Sequence, residues 1–135
     1  MALTPFLMFT GQAEQAVRFY VSVFPDAEIL ELELHGPDDP GAEGTVGRAS
    51  FRIAEQVFRC IDSPDVHDFG FTPSVSFFYE CADEAIFDGL VEVLSADGTV
   101  LMPPGDYPFA QRFAWLNDRF GVSWQVCLPL AEGTR

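Results

Sequence analysis

Apolar residues recur at helical spacing in two stretches of the chain and at strand spacing in the segments around them. Over residues 12–24, Ala13, Ala16, Val17, Tyr20, Val23 and Phe24 fall on one stripe at i, i+3, i+4, i+7 spacing. Glu14 suits the positive N-terminal end of that helix, and Pro25 stops it. A second helix is expected from residue 84 to about residue 94, with Asp83 as its N-cap. Ile86, Phe87, Leu90, Val93 and Leu94 line its apolar face, and Gly98 suits the chain reversal that follows.

The remaining apolar runs read as strands. In the first half these are residues 3–10, 28–35, 46–54 and 56–62. The loop over residues 36–44 carries Gly, Pro and Asp at nearly every step, and Ala54-Glu55-Gln56 makes a tight turn. In the second half the strands are residues 74–80, 99–102, 111–116 and 122–128. Pro103-Pro104 ends the 99–102 strand, a loop through Gly105 and Pro108 follows, and the last hairpin turns at Asp118-Arg119-Phe120-Gly121.

The order strand–helix–three strands therefore occurs twice. A shift of 70 lays Phe6-Leu7-Met8-Phe9 on Ser76-Phe77-Phe78-Tyr79, and Ala16, Tyr20, Val23 and Phe24 on Ile86, Leu90, Val93 and Leu94. A shift of 66 pairs Trp124 with Phe58 and Gln125 with Arg59. The expected class is α+β: two βαβββ modules, residues 3–62 and 73–129, joined by a connector over residues 63–72. They are expected to pair into a curved eight-strand mixed sheet, with helices on one face and a cleft on the other, as one domain over residues 1–135.

Charge narrows the partners. Seven basic residues, all Arg, stand against 21 acidic ones, a net charge of −14. That field repels phosphate backbones and anionic membranes, so nucleic acid and lipid surfaces are not expected partners. No positive n-region opens the chain and no apolar run approaches the ~20 residues of a membrane span, so a cytoplasmic location is expected. Cys60, Cys81 and Cys127 are odd in number and widely spaced. They read as small buried hydrophobes in a reducing compartment rather than as disulfides, a zinc site or nucleophiles.

Four segments carry a family resemblance: Thr4-Pro5-Phe6-Leu7, Arg18-Phe19-Tyr20, Phe24-Pro25-Asp26-Ala27 and Asp118-Arg119-Phe120-Gly121-Val122-Ser123-Trp124-Gln125. With them the chain resembles, over about residues 3–129, the PhnB-like (3-demethylubiquinone-9 3-methyltransferase-like) branch of the vicinal-oxygen-chelate, or glyoxalase and bleomycin-resistance, superfamily. The resemblance implies the paired-module fold, a small-molecule cleft and a homodimer. It also implies that enzymes of the superfamily hold one divalent metal with His, Glu or Gln from four cleft strands. Here those positions fall at or near Pro5, on Ser74 or Ser76, on Arg59 and on Gln125. One amide and one hydroxyl are too few donors for a tight transition-metal site, so no metal and no cofactor are expected.

The expected ligand contacts are Arg59, Gln125, Ser76, Phe9 and Trp115. Alternation puts Phe6 and Met8 on one face of the first strand and Leu7 and Phe9 on the other. On the last strand it groups Ser123, Gln125 and Cys127 away from Trp124, while Trp115 fits core or cleft equally well. Arg59 stands where a relative would place a metal ligand, so its guanidinium is read as an anchor for a carboxylate or phosphoryl group, with Asp62 on the opposite face. Arg48, Arg52 and Arg59 bring three of the seven cations onto one hairpin, and for all three the favoured reading is a solvent-facing strand balancing nearby carboxylates, with the anchor role of Arg59 as the sharper alternative. His35 and His67 read as solvated residues at a strand end and in the connector, with His67, between Asp65 and Asp68, as the better acid–base candidate.

The leading reading is a metal-independent small-molecule-binding protein. A metal-assisted isomerase, lyase or dioxygenase is the alternative. A methyltransferase is disfavoured because no glycine-rich turn follows the first strand and the chain is short for a doubly wound nucleotide-binding sheet.

Overall fold

The structure, a computed structural model, describes residues 1–64 and 67–131. The chain divides into two compact units, Met1–Asp68 and Phe69–Arg135. In the first unit the order is β1 (Phe6–Phe9), α1 (Ala13–Val23), β2 (Ala27–Leu34), β3 (Val46–Ile53) and β4 (Gln56–Asp62). In the second it is β5 (Phe77–Glu80), α2 (Glu84–Ser95), β6 (Thr99–Tyr107), β7 (Ala110–Asn117) and β8 (Ser123–Leu128). The class is α+β and the module is βαβββ in both. Each unit holds one four-stranded mixed sheet, in the orders β1-β4-β3-β2 and β5-β8-β7-β6. β1 runs parallel to β4 and β5 parallel to β8; the other pairs are antiparallel. Among the described residues no helix is long and apolar enough to cross a membrane.

In the first unit α1 covers one sheet face. Ala13, Ala16, Val17 and Tyr20 are buried, and Tyr20 stacks on Phe51, which stacks on Phe58 with 5.1 Å between ring centroids. Each such ring contributes roughly 1.5–3 kcal/mol by leaving water. Gln12 offers no side-chain cap to the helix. The cap comes from β4: Asp62 Oδ1 accepts from the Gly11 and Ala13 N–H groups at 2.8 and 2.9 Å, and Oδ2 accepts from Val46 N at 2.9 Å. One carboxylate thus ties the ends of β4, α1 and β3 together and sits at the positive end of the helix.

In the second unit Asp83 caps α2 as expected, accepting from Ile86 N at 2.9 Å. The buried face is Phe87, Leu90, Val91 and Leu94. Val91 replaces the expected Val93, which is 39% exposed, because only the i, i+3, i+4, i+7 set from Phe87 stays in phase with the sheet.

Several strand limits differ from expectation, each for a backbone reason. β1 begins at Phe6 rather than at residue 3. Pro5 accepts a ladder bond from Arg59 N at 2.9 Å but has no N–H to return one. β5 begins at Phe77 rather than at residue 74, since Val75 N turns back to Thr72 O. β6 does not stop at Pro103 but continues to Tyr107, with register shifts after Val100, Met102 and Gly105. It lies at the edge of its sheet, where the prolines' missing N–H groups can face away from the ladder. β2 carries a bulge between Ile29 and Glu31, which explains the adjacent apolar pair Ile29-Leu30 in an otherwise alternating strand.

Candidate functional site

Each sheet has one face under its helix and one turned away from it, and the register assigns every residue to a face. In the first unit Phe58, Cys60 and Asp62 share the α1 side with Leu7 and Phe9. Arg59 and Ile61 fall on the other side with Phe6, Met8 and Ser50. Asp62 therefore lies opposite Arg59, as alternation indicated.

Phe9 does not join Arg59. It is 3% exposed, in register with Asp62, and belongs to the core beneath α1. Phe6 takes the place beside Arg59: it is 51% exposed, and the guanidinium carbon lies 5.6 Å from its ring centroid.

The arginines of this unit differ in their partners. Arg48 pairs with Glu31, Arg52 with Glu28, and Arg18 with Glu14. These are balanced surface cations, as expected of the hairpin arginines, but Arg59 departs from that expectation. Arg59 is exposed, and among the described residues no carboxylate lies within ion-pair distance of it.

In the second unit α2 identifies its face through Arg112, which bridges Glu84 and Asp88 and lies over the Phe87 ring. Arg112, Ala114 and Leu116 share that face with Trp124, Val126 and Leu128. The opposite face carries Phe113, Trp115 and Asn117 from β7, Ser123, Gln125 and Cys127 from β8, and Phe78 from β5. Three expected residues meet here. Gln125 Nε2 donates to Ser76 Oγ at 2.8 Å, and Trp115 Nε1 donates to Ser123 Oγ at 2.8 Å. Trp115 is half-buried, so it serves both as packing for Phe113 and Cys127 and as surface. Sequence reasoning missed the aromatic wall beside it, where Tyr107, Phe109 and Phe113 contact one another at 4.9–5.6 Å. Its signal lay in Tyr107 and Phe109, read as loop because of Pro108.

The residues at the metal positions implied by the family do not fit a first-row metal. Pro5 has no donor side chain, Arg59 is a cation, Ser76 and Gln125 bond each other, and Ser74 Oγ bonds Thr72 Oγ1 at 2.7 Å. Among the described residues no group of three or more His, Cys, Asp or Glu side chains is placed to hold a metal ion. Asp65, weighed as a neighbour of His67, lies outside the described residues. His67 and Asp68 are exposed.

Asp118-Arg119-Phe120-Gly121 is the structural turn expected. Gly121 has φ +91°, and the buried Asp118 carboxylate accepts from Phe120 N, Val122 N and Trp124 Nε1 at 2.8, 3.1 and 2.8 Å.

None of the three cysteines forms a disulfide, and all three are buried. Burial, reinforced by the Asp62 carboxylate, pushes the Cys60 thiol up to about 12, and burial with Glu80 raises Cys127. A group raised in the fold stabilises it fully below its unfolded pKa, near 9, and that contribution is lost as pH rises towards 12, because the unfolded chain then binds fewer protons. The denaturation midpoint is expected to fall between pH 8.5 and pH 11, by less in Cys60→Ala; an identical slope in the variant contradicts the assignment.

Comparison with known proteins places these features. Residues 1–127 match the family model of 3-demethylubiquinone-9 3-methyltransferase. A PhnB protein of Bacillus cereus is 46% identical, with a TM-score of 0.90 over 95% of this chain and 99% of that one. A Pseudomonas aeruginosa protein shares the fold at 23% identity and TM-score 0.79, over 96% and 98% of the two chains. So does a glyoxylase/bleomycin resistance protein/dioxygenase domain of a Frankia species, at 12% identity and TM-score 0.66, over 96% and 98%. No match is found among the curated proteins. The chain belongs to the 3-demethylubiquinone-9 3-methyltransferase family and is PhnB-like.

Proposed function

We propose that this chain binds a small anionic molecule without a metal, with Arg59 as the anchor. The observation that carries the reading is the state of that side chain. It is an exposed guanidinium on the sheet face away from α1, steadied by Phe6, with no carboxylate partner among the described residues of a strongly acidic protein. Such a fork holds a carboxylate or phosphoryl oxygen pair through two charge-assisted hydrogen bonds. Within the second unit, Ser76, Gln125 and Trp115 are proposed as ligand contacts on the sheet face away from α2, offering neutral polar atoms and an aromatic surface. The reading treats both units as one functional domain and the protein as a homodimer, which light scattering at tens of micromolar protein tests.

The experiment combines binding with composition. Metal analysis after native purification is expected to give well under one equivalent of Zn, Ni, Mn or Fe. Benzoate titrated calorimetrically should bind more tightly than benzyl alcohol of similar shape. Arg59→Ala should weaken benzoate about tenfold or more, from the loss of one forked ionic contact, and leave the alcohol unchanged. Equal losses for both ligands, or a stoichiometric metal whose removal abolishes binding, overturn the proposal.

A further inference from the structure

The first unit also contains a pocket of about 310 Å³ that Arg59 does not line. It lies where the ends of β1, β2 and β4 meet the loop over residues 36–45. Its volume is at the small end of ligand sites and equals roughly ten waters.

The His35 ring forms one wall, in a slot that two glycines keep open. A Cβ on Gly41 would stand 2.3 Å from the His35 Cδ2 and Nε2 atoms, and one on Gly47 would stand 2.9 Å from Cε1. Side chains at either position would push the imidazole from its place. The backbone fixes the same residue, since His35 N donates to Thr45 O and His35 O accepts from Gly44 N.

The pocket lining includes hydroxyl and carboxylate acceptors beside the His35 ring. The Thr45 hydroxyl donates to Ala42 O and the Ser63 hydroxyl to Pro64 O, so both present lone pairs to a ligand. Asp62 is the one carboxylate among the lining residues. Three backbone N–H groups occupy three of its roughly four acceptor directions, which leaves one. Pro40 and Pro64 bring apolar surface and no N–H. Acceptors, one negative charge and apolar walls suit an occupant with N–H donors and a short hydrocarbon body.

We propose that this pocket is a second ligand site, selective for a small organic cation of the primary-ammonium or amidinium type. The ammonium donates to Asp62, Thr45 and Ser63, and the hydrocarbon lies against Pro40 and the His35 ring. The site is independent of the Arg59 reading, because the two select opposite charges.

The test uses the intact chain and n-butylammonium as probe, with n-butanol and butyrate as neutral and anionic comparators. Amide resonances of Gly11, Gly41, Ala42 and Thr45 are followed during titration at fixed ionic strength. Saturable shifts with butylammonium are expected, at least about tenfold weaker with butanol and absent with butyrate. Gly41→Leu, which fills the slot and displaces His35, should abolish them, while Arg59→Ala leaves them unchanged. Shifts that never saturate and spread over the acidic surface overturn the proposal, as does equal binding of butanol. If Gly41→Leu does not fold, the comparison of the three probes in the unaltered protein still decides. If Gly41→Leu folds and binds butylammonium unchanged, the site is refuted.

Discussion

Replacing Gly98 by alanine is expected to lower stability by about 3 kcal/mol or more, and the melting temperature by on the order of 10 °C. The added Cβ would stand 2.1 Å from the Asn117 carbonyl oxygen and 3.1 Å from Asp118 atoms, all of them main chain. A side chain could swing away from such a clash. Here the turn after α2 or the end of β7 must shift by roughly an ångström, and β7 is held by β6 on one side and β8 on the other. Gly89→Ala supplies the control. Gly89 lies exposed within α2, and a methyl group added there would meet no atom within 4 Å. Alanine at that position should therefore stabilise by about 0.5–1 kcal/mol through helix propensity alone. The same substitution nine residues apart should thus act with opposite sign. Chemical denaturation of the two variants checks this, and a Gly98→Ala protein as stable as the parent contradicts the packing of this turn.

Asp118→Ala is expected to cost about 3–5 kcal/mol, the other large effect. The carboxylate is 3% exposed and accepts from two backbone N–H groups and the indole of Trp124. Removing it leaves buried donors unpaired, each at about 1–3 kcal/mol, and water has little access to replace it. Asp118→Asn should retain part of the loss, since its amide oxygen serves one side of the site and its NH₂ group opposes the other. Trp124→Phe combined with Asp118→Ala should cost less than the sum, because the two residues share a bond. The indole N–H resonance of Trp124 should move in Asp118→Ala while that of Trp115, bonded to Ser123, stays in place. Strict additivity of the two substitutions contradicts the contact.

This turn shows how far local reading reaches. An Asp four residues before a valine, with Gly between, indicates a hairpin turn, and the fold contains one. That the same Asp reaches the side chain of Trp124 depends on β7 and β8 being paired, which composition alone does not express. Gly98 is similar: a glycine was legible in the reversal after α2, yet the positive φ in that turn falls on Asp97, at 62°, and Gly98 is demanded by a carbonyl of β7 instead.

For the candidate site, alternation was the productive signal. It separated Arg59 from Asp62 and Gln125 from Trp124, since a strand's two faces follow from a period of two that can be counted along the chain. It erred for Phe9 as a ligand contact, because alternation groups Phe9 with Leu7 but does not say which group the helix covers. It was silent on ion pairs. Arg48, Arg52 and Arg59 look equivalent along the sequence; the pairing of β2 with β3 brings glutamates to the first two, while Arg59, on β4, has Phe6 and Ser50 as its register neighbours.

By itself, then, the sequence determined what depends on near neighbours: two amphipathic helices, the strand–helix–three-strand order and its repetition, the Asp83 cap and the turn residues. Those signals act within a few positions, where side-chain spacing and backbone preference are set by covalent geometry. The tertiary structure decided what depends on residues brought from far along the chain. Asp62 caps a helix from 49 residues away, β6 runs through two prolines because it is an edge strand, and His35 keeps its slot between Gly41 and Gly47. Each is a contact between segments whose approach is set by burial of the whole sheet face, a free energy that no short window of sequence contains.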